Sequence, residues 1–329
     1  WRIIKTVRDI DIFTAVQRWL GQSQTVWLCT VLDTWGSSPR PRGSLLACNA
    51  GGDFIGSLSG GCVEENLIAK IVAGDFPSVV SRLRYGATTE EAERFRLPCG
   101  GVLDISIERL QPSSALQNSI DLIVDALIGR RRISVQRNFT QEKFIVSNPH
   151  GKQPMLDFSE DSSSNLIEIN HVLGPQYRLL LIGISEVSRA VAQIALLLDY
   201  EILVCDPRAD ARVRWDISGV TLLAQLPDDA VREYGDDRYC AILALTHDPR
   251  IDDMALMEAF NTQAFYIGAM GSLRTSENRR ERLQLLDVTA EQLQRLYAPI
   301  GLDTGSKTPT EIAVSVLAQL TAVRAGKFR

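Results

Sequence analysis

At 329 residues, with 45% hydrophobic and 23% charged residues, the chain is too long for one ordinary core and fits two globular domains. A net charge of −5 argues against nucleic acid, which favours a basic face, and no run of about 18 apolar residues offers a transmembrane helix. Six cysteines (Cys29, Cys48, Cys62, Cys99, Cys205, Cys240) are scattered with no Cys-x-x-Cys pair, and none of the three histidines stands at a zinc-ligand spacing from paired cysteines. Trp1-Arg2-Ile3-Ile4-Lys5 lacks a signal peptide's apolar core, and the expectation is a cytoplasmic protein with reduced thiols.

In chain order, Asp11 to Leu20 reads as an amphipathic helix with Ile12, Phe13, Val16, Trp19 and Leu20 on one side. Val26 to Leu32 follows as a buried strand. Then comes a turn-rich loop, Trp35-Gly-Ser-Ser-Pro-Arg-Pro-Arg-Gly43, and a hairpin of Leu45 to Cys48 with Phe54 to Leu58. Ser59-Gly60-Gly61-Cys62-Val63-Glu64-Glu65 opens a helix that runs to about Val72. Val102 to Leu110 sits directly after Cys99-Gly100-Gly101. Its alternation of Leu103, Ile105 and Ile107 with Asp104, Ser106 and Glu108 predicts a half-buried strand.

Residues 111 to 176 give weaker signals: a helix from Ser119 to Ile128, strand-like runs at Ile133 to Gln136 and Phe144 to Val146, and a polar loop from Ser159 to Asn165 expected to be mobile. Gly174-Pro175 reads as a hinge. Beyond it strand and helix alternate. Tyr177 to Ile182, Glu201 to Cys205, Cys240 to Leu245 and Ala264 to Ile267 read as parallel strands, with a helix from Val187 to Leu198. Such alternation predicts a doubly wound sheet. The last helix opens at Thr308-Pro309-Thr310-Glu311, a capping box with proline in the first turn.

The first strand of that sheet is followed by Gly183-Ile184-Ser185-Glu186-Val187-Ser188, which keeps only the first glycine of G-x-G-x-x-G. A serine obstructs the close approach of a pyrophosphate, and Glu186 places a negative charge at the helix N-terminus, where it repels phosphate. Asp206, 23 positions after Gly183, stands where a ribose-binding acid would sit. Arg208 beyond it could assist a phosphate or simply be solvated. The turn is therefore read either as a dinucleotide site or, preferentially, as a Rossmann-like scaffold with a lapsed or altered NAD(P) site, whose crevice at the strand ends a pterin nucleotide could still use. His247, in Thr246-His247-Asp248 at a strand end, is a candidate base or ligand contact, or a structural histidine.

The first half carries more chemistry. Gly60 and Gly61 leave amide groups to meet an anion, and a helix start behind them would lower the pKa of the Cys62 thiol. A thiolate there would suit a soft metal or sulfur species; the other reading is a small buried hydrophobe. Cys99-Gly100-Gly101 repeats the arrangement in reverse order. Glu64 or Glu65 could handle a proton or orient a group, or serve as an ordinary first-turn glutamate. Arg40 and Arg42, on a proline-stiffened loop, could present rigid guanidinium forks to a phosphate or be solvated on a surface turn.

Taken together, these segments resemble the XdhC/CoxI family. The resemblance rests on Trp35-Gly-Ser-Ser-Pro-Arg-Pro-Arg-Gly43, Gly56-Ser-Leu-Ser-Gly-Gly-Cys62-Val-Glu64 and Cys99-Gly-Gly101 in the first half. In the second half it rests on Thr246-His247-Asp248, Gly268-Ala-Met-Gly-Ser272 and Pro299-Ile-Gly-Leu-Asp303 through Thr308-Pro-Thr-Glu-Ile-Ala313. It implies an α/β protein with a cofactor-binding domain over 8–112, a connecting region over 113–175 and a Rossmann-like doubly wound domain over 176–326. It also implies an accessory chaperone that binds molybdenum cofactor as cargo and delivers it to a xanthine dehydrogenase or aldehyde oxidoreductase-type hydroxylase.

The cofactor-binding candidates are then Cys62, Cys99, Gly60, Gly61, Gly100, Gly101, Arg40, Arg42, Glu64, Gly183, Asp206 and His247, with Cys62 the contact to molybdenum through the cofactor. The implied partners are the apo-hydroxylase, cofactor-sulfurating or biosynthetic enzymes, and a second copy in a homodimer; neither nucleic acid nor membrane is expected. The family usually carries Gly-x-Gly-His-Val after the first Rossmann strand; the second glycine and the histidine are replaced here by Ser185 and Glu186. The competing reading is an NAD(P)-dependent oxidoreductase using the C-terminal sheet, and a third is a purely structural or regulatory partner of such an enzyme.

Overall fold

A computed structural model of the protein describes residues 7–35, 40–86, 102–149, 154–246, 248–305 and 307–327, with Cys62 described by its backbone alone. They fall into two compact units that divide between Pro175 and Gln176.

The first unit opens with α1 (Asp9–Gly21), whose buried Ile12, Phe13, Val16, Trp19 and Leu20 recur at helical spacing on one face. Strands β1 (Val26–Trp35), β2 (Leu45–Asn49) and β3 (Phe54–Gly56) precede α2 (Cys62–Ala73), β4 (Val80–Tyr85) and β5 (Val102–Leu110). They form an antiparallel sheet in the order β3-β2-β1-β5-β4. Alternation along β1 sends Val26 and Leu28 towards α1, while Trp27, Cys29 and Val31 pack with Val63, Leu67 and Ile71 of α2. Each such aliphatic side chain, fully buried, contributes roughly 1.5–3 kcal/mol.

Residues 113–175 are more structured than their sequence signals imply. They form α3 (Ser114–Ile128), β6 (Ile133–Asn138), β7 (Lys143–Ser147), β8 (Leu156–Glu160) and β9 (Leu166–Leu173). The four strands make a second antiparallel sheet, β7-β6-β9-β8, within the same unit. The Ser159 to Asn165 segment is largely a tight turn, in which Asp161 accepts from the amides of Ser163 and Asn165 at 2.8 and 2.9 Å.

β5 is not the half-buried strand its alternation predicts. Asp104, Ser106 and Glu108 are as buried as the apolar residues between them. Glu108 is covered by Arg137 of β6 at 3.0 Å, and Asp104 by Arg82 of β4 at 2.6 Å. The polar face is closed by cations from neighbouring strands, which the period-two pattern cannot reveal.

The second unit is a Rossmann-like doubly wound sheet. Its parallel strands are β10 (Arg178–Ile182), β11 (Glu201–Cys205), β12 (Val220–Leu223), β13 (Cys240–Ala244), β14 (Tyr266–Ala269) and β15 (Leu296–Tyr297), ordered β12-β11-β10-β13-β14-β15. On one face pack α4 (Glu186–Leu197) and α10 (Pro309–Arg324). On the other pack α6 (Pro227–Tyr234), α7 (Pro249–Ala259) and α8 (Leu273–Leu285); α5 (Ala209–Val213) and α9 (Ala290–Gln294) are short connectors. The inner strands β10, β11, β13 and β14 are short, apolar and buried, as parallel strands under helices must be, whereas the edge strand β12 is mostly exposed. Among the described residues no helix is long and apolar enough to cross a membrane.

Candidate functional site

The register of the five-stranded sheet brings the described parts of the first-half motifs towards one end. β1 runs towards Trp35, which pairs with Val102, the residue that follows Cys99-Gly100-Gly101 in the sequence. β2 starts and β3 stops at that end: Leu46 pairs with Gly56, and the Ser57 amide donates to the Leu45 carbonyl at 3.0 Å. The Arg40–Ser44 segment therefore enters, and the Ser57–Gly61 turn leaves, where β5 begins. Gly43 and Ser44 continue the ladder, bonding Val31 at 2.8 and 2.9 Å.

In that turn Glu64 makes six hydrogen bonds. Its Oε1 accepts from Ser57 Oγ at 2.9 Å and from the amides of Leu58, Ser59 and Gly60 at 2.8, 2.7 and 2.8 Å. Its Oε2 accepts from Ser59 Oγ at 2.5 Å and the Gly61 amide at 2.9 Å. Burial disfavours the charged form, but the donors from Ser59, Gly60 and Leu58 outweigh it and bring the carboxyl pKa down to about 2. The expectation that the amides of Gly60 and Gly61 stand free for an external anion is thus corrected: Glu64 is the anion they hold. Gly60 has φ +87°, a conformation costly for any side chain, so the turn needs glycine there whatever it binds.

Cys62 is the first residue of α2 and Gly61 its N-cap, so the backbone places residue 62 at a helix N-terminus as the sequence predicts. The Cys62 side chain lies outside the described residues, as do Cys99, Gly100, Gly101 and His247. The other four cysteines, Cys29, Cys48, Cys205 and Cys240, are buried. Burial pushes the Cys48 thiol up to about 11, Cys205 to about 12 and Cys29 higher still, which makes them inert at neutral pH.

Arg42 is about half exposed, 4.0 Å from Asp33 and over the Phe158 ring, with Arg82 over the same ring. Arg40 stands beside it in the chain, partly buried. Behind this rim lies a buried polar layer that sequence reading missed. Arg137 pairs with Glu108 and approaches Thr30 Oγ1 at 3.4 Å. His171 is also buried there; burial, with Arg137 nearby, drops its pKa to about 3, so it is neutral. Among the described residues, Arg137 Nε and Ser106 Oγ have no hydrogen-bond partner.

In the second unit Gly183 is fixed by a close approach. Its φ is +94°, and a Cβ there would stand 2.1 Å from Thr246 Cγ2. Three amides of the turn are already engaged. Ile184 N donates to Asp206 at 2.8 Å, Ser185 N to Ser188 Oγ at 2.7 Å, and Ser188 N to Ser185 Oγ at 3.2 Å. Asp206 is 1% exposed and is gripped by Arg208 through Nε at 2.9 Å and Nη2 at 2.7 Å. Burial alone would raise its carboxyl pKa; the bonds from Arg208 and Ile184 reverse that and hold it below the ordinary value. Asp206 is therefore not the open ribose-binding acid its position predicts, because its oxygens are committed inside the fold.

Two signals for this organisation were legible. The Gly61-to-Glu64 spacing is that of an N-cap and an N3 acid reaching back, and Asp206-x-Arg208 is close enough to close on itself. Arg189 and Arg214, which join Arg208 around a cleft in the second unit, gave no such signal, being ordinary surface arginines until the fold is known.

Comparison with known proteins agrees with this architecture. The XdhC Rossmann domain family matches residues 179–320, and the XdhC and CoxI family matches residues 19–74. The chain belongs to the XdhC/CoxI family. It is 24% identical to the molybdenum cofactor insertion chaperone PaoD of Escherichia coli K12, over 90% of this chain and 83% of that one. It is 23% identical to a probable xanthine dehydrogenase subunit of Bacillus subtilis 168, over 95% of this chain and 98% of the relative. The crystal structure of a xanthine dehydrogenase from Bacillus halodurans shares the fold, with a TM-score of 0.69 at 20% identity over 98% of this chain and 97% of that one.

Proposed function

We propose that the protein is an accessory carrier that binds molybdenum cofactor and delivers it to a xanthine dehydrogenase-type hydroxylase. The observation that carries this reading is the convergence of the Arg40–Arg42 loop, the Ser57–Gly61 turn and the Cys62 helix start at one end of the five-stranded sheet. The cargo is an anionic phosphate ester with sulfur donors around a soft metal. Arg42, exposed beside Arg40, offers guanidinium donors to its phosphate. Residue 62 is the first of α2, and a thiol carried at a helix start favours a thiolate able to meet sulfur-bound molybdenum. The turn's own amides are engaged by Glu64, so they shape the site rather than bind the phosphate.

The reading of the chain as an NAD(P)-dependent oxidoreductase gains no support from the second unit. The amides of Ile184 and Ser185 are turned inward to Asp206 and Ser188, and Asp206 is closed by Arg208. The names of the relatives favour the accessory role, since one is an insertion chaperone. The test is transfer: cofactor-loaded protein mixed with a cofactor-free hydroxylase of this type should lose molybdenum as the hydroxylase gains activity. Retention of the metal by the carrier, with no activation, would refute the reading.

A further inference from the structure

The carboxyl ends of β10 and β11 border a cleft of about 550 Å³. Ile184 and Glu186 line one side, Ala211 the other, and three arginines reach it: Arg189, Arg208 and Arg214. In a doubly wound sheet this is where the acid at the end of the second strand meets a ribose diol. Here that acid, Asp206, is 1% exposed and covered, and the group turned outward in its place is the Arg208 guanidinium, 52% exposed.

The recognition chemistry of the position is thereby inverted. A carboxylate accepts hydrogen bonds from hydroxyls; a guanidinium donates them to an anion. Arg208 gives Nε and Nη2 to Asp206, which fixes the plane of the fork and leaves Nη1 available. Arg214 gives only Nη2, to Asp210 at 3.0 Å, and is 71% exposed. Arg189 is held across the Trp215 ring with an ion pair to Asp216. Glu186 also lines the cleft and, like Asp210 beside Arg214, repels negative charge, so an anion must be held by the guanidinium donors.

We propose that this cleft binds a phosphomonoester, with Arg208 and Arg214 as its donors and Asp206 acting to aim Arg208 rather than to hold a ribose. The site goes beyond the carrier reading and does not depend on the thiol site in the first unit. The phosphate can come from the carried cofactor or from a free nucleotide.

The test is calorimetry on the full chain at low ionic strength, with adenosine 2′,5′-bisphosphate and unphosphorylated adenosine as probes. The bisphosphate should bind and adenosine should not. Arg208→Gln and Arg214→Gln should each weaken binding about tenfold, as expected for loss of a charge-assisted phosphate contact. Arg214→Gln leaves Asp206 untouched, so the test survives if Arg208→Gln disturbs the fold. Equal affinity in wild type and Arg214→Gln, or adenosine binding as well as the bisphosphate, would overturn the proposal. Repeating the titration on cofactor-loaded protein separates the sources. Blocked binding assigns the phosphate to the cargo, unchanged binding to a free nucleotide, and either result supports the anion site. Cofactor retention in Arg214→Gln with loss in Cys62→Ala would keep the two sites distinct.

Discussion

Glu64 and Ser59 are joined by two hydrogen bonds, from the Ser59 amide to Oε1 at 2.7 Å and from Ser59 Oγ to Oε2 at 2.5 Å. With the amides of Leu58, Gly60 and Gly61 they make the glycine turn a sealed nest around an internal carboxylate. The turn before Cys62 is thus preorganised by the chain itself, with both carboxylate oxygens of Glu64 committed within it.

Glu64→Gln should cost about 2–3 kcal/mol of stability, because an amide group replaces one oxygen and faces donors with a donor. Chemical denaturation measures this. The wild-type contribution has a defined pH sense. Glu64's folded pKa, about 2, lies below its ordinary 4.5, so its stabilisation is present above the ordinary value and lost as pH falls through the folded one. The gap between wild type and Glu64→Gln should therefore narrow as pH is lowered from about 5 towards 2. A gap independent of pH would contradict the assignment.

His171 gives a separate acid sensitivity. Its folded pKa, about 3, is depressed from 6.5 by burial and by Arg137. Below 6.5 the unfolded chain takes up a proton that the folded chain refuses, so stability falls steadily towards pH 3. His171→Gln should flatten the stability profile in that window. Urea midpoints from about pH 7 to about pH 4 would show it, and an unchanged slope would refute it.

The Arg137–Glu108 pair predicts an asymmetry between single and double variants. Arg137→Met leaves Glu108 buried without its cation and should cost about 3–5 kcal/mol. Changing both residues to methionine removes the stranded charge and should recover most of that loss. A double variant less stable than the single one would count against the pairing.

At Gly183 the cost of a methyl group is steric. Gly183→Ala drives a Cβ onto Thr246 Cγ2 at 2.1 Å in a backbone region unfavourable to alanine, and should destabilise the second unit by several kcal/mol, on the order of 2–4. Thr246→Ser removes that methyl, so the double variant should regain part of the loss. Thermal melts of the four proteins make the cycle; strict additivity would show that the contact is not the cause.

The doubly wound unit was legible because its strands are short apolar runs and its last helix carries its own cap, with the Glu311 amide donating to Thr308 Oγ1 at 3.3 Å. β4 was not legible: Ser81-Arg82-Leu83-Arg84 reads as polar surface until Asp104 of β5 is placed beside both arginines. β12 was missed for its length, four residues at a sheet edge. The motif residues Arg40, Arg42, Gly60, Gly61 and Glu64 were visible singly. Their meeting at one sheet end required the register, whereas the closure of Asp206 by Arg208 had its signal in the two-residue spacing.

Residue 62 is proposed to open a thiol-dependent cargo site. Its most direct test is the molybdenum and molybdopterin content of protein purified without oxygen from a cofactor-replete host, for wild type and Cys62→Ala in parallel. The account predicts substantial cofactor in the wild type and its loss from a variant that remains folded. Equal cofactor in both proteins, or none in either, would contradict it.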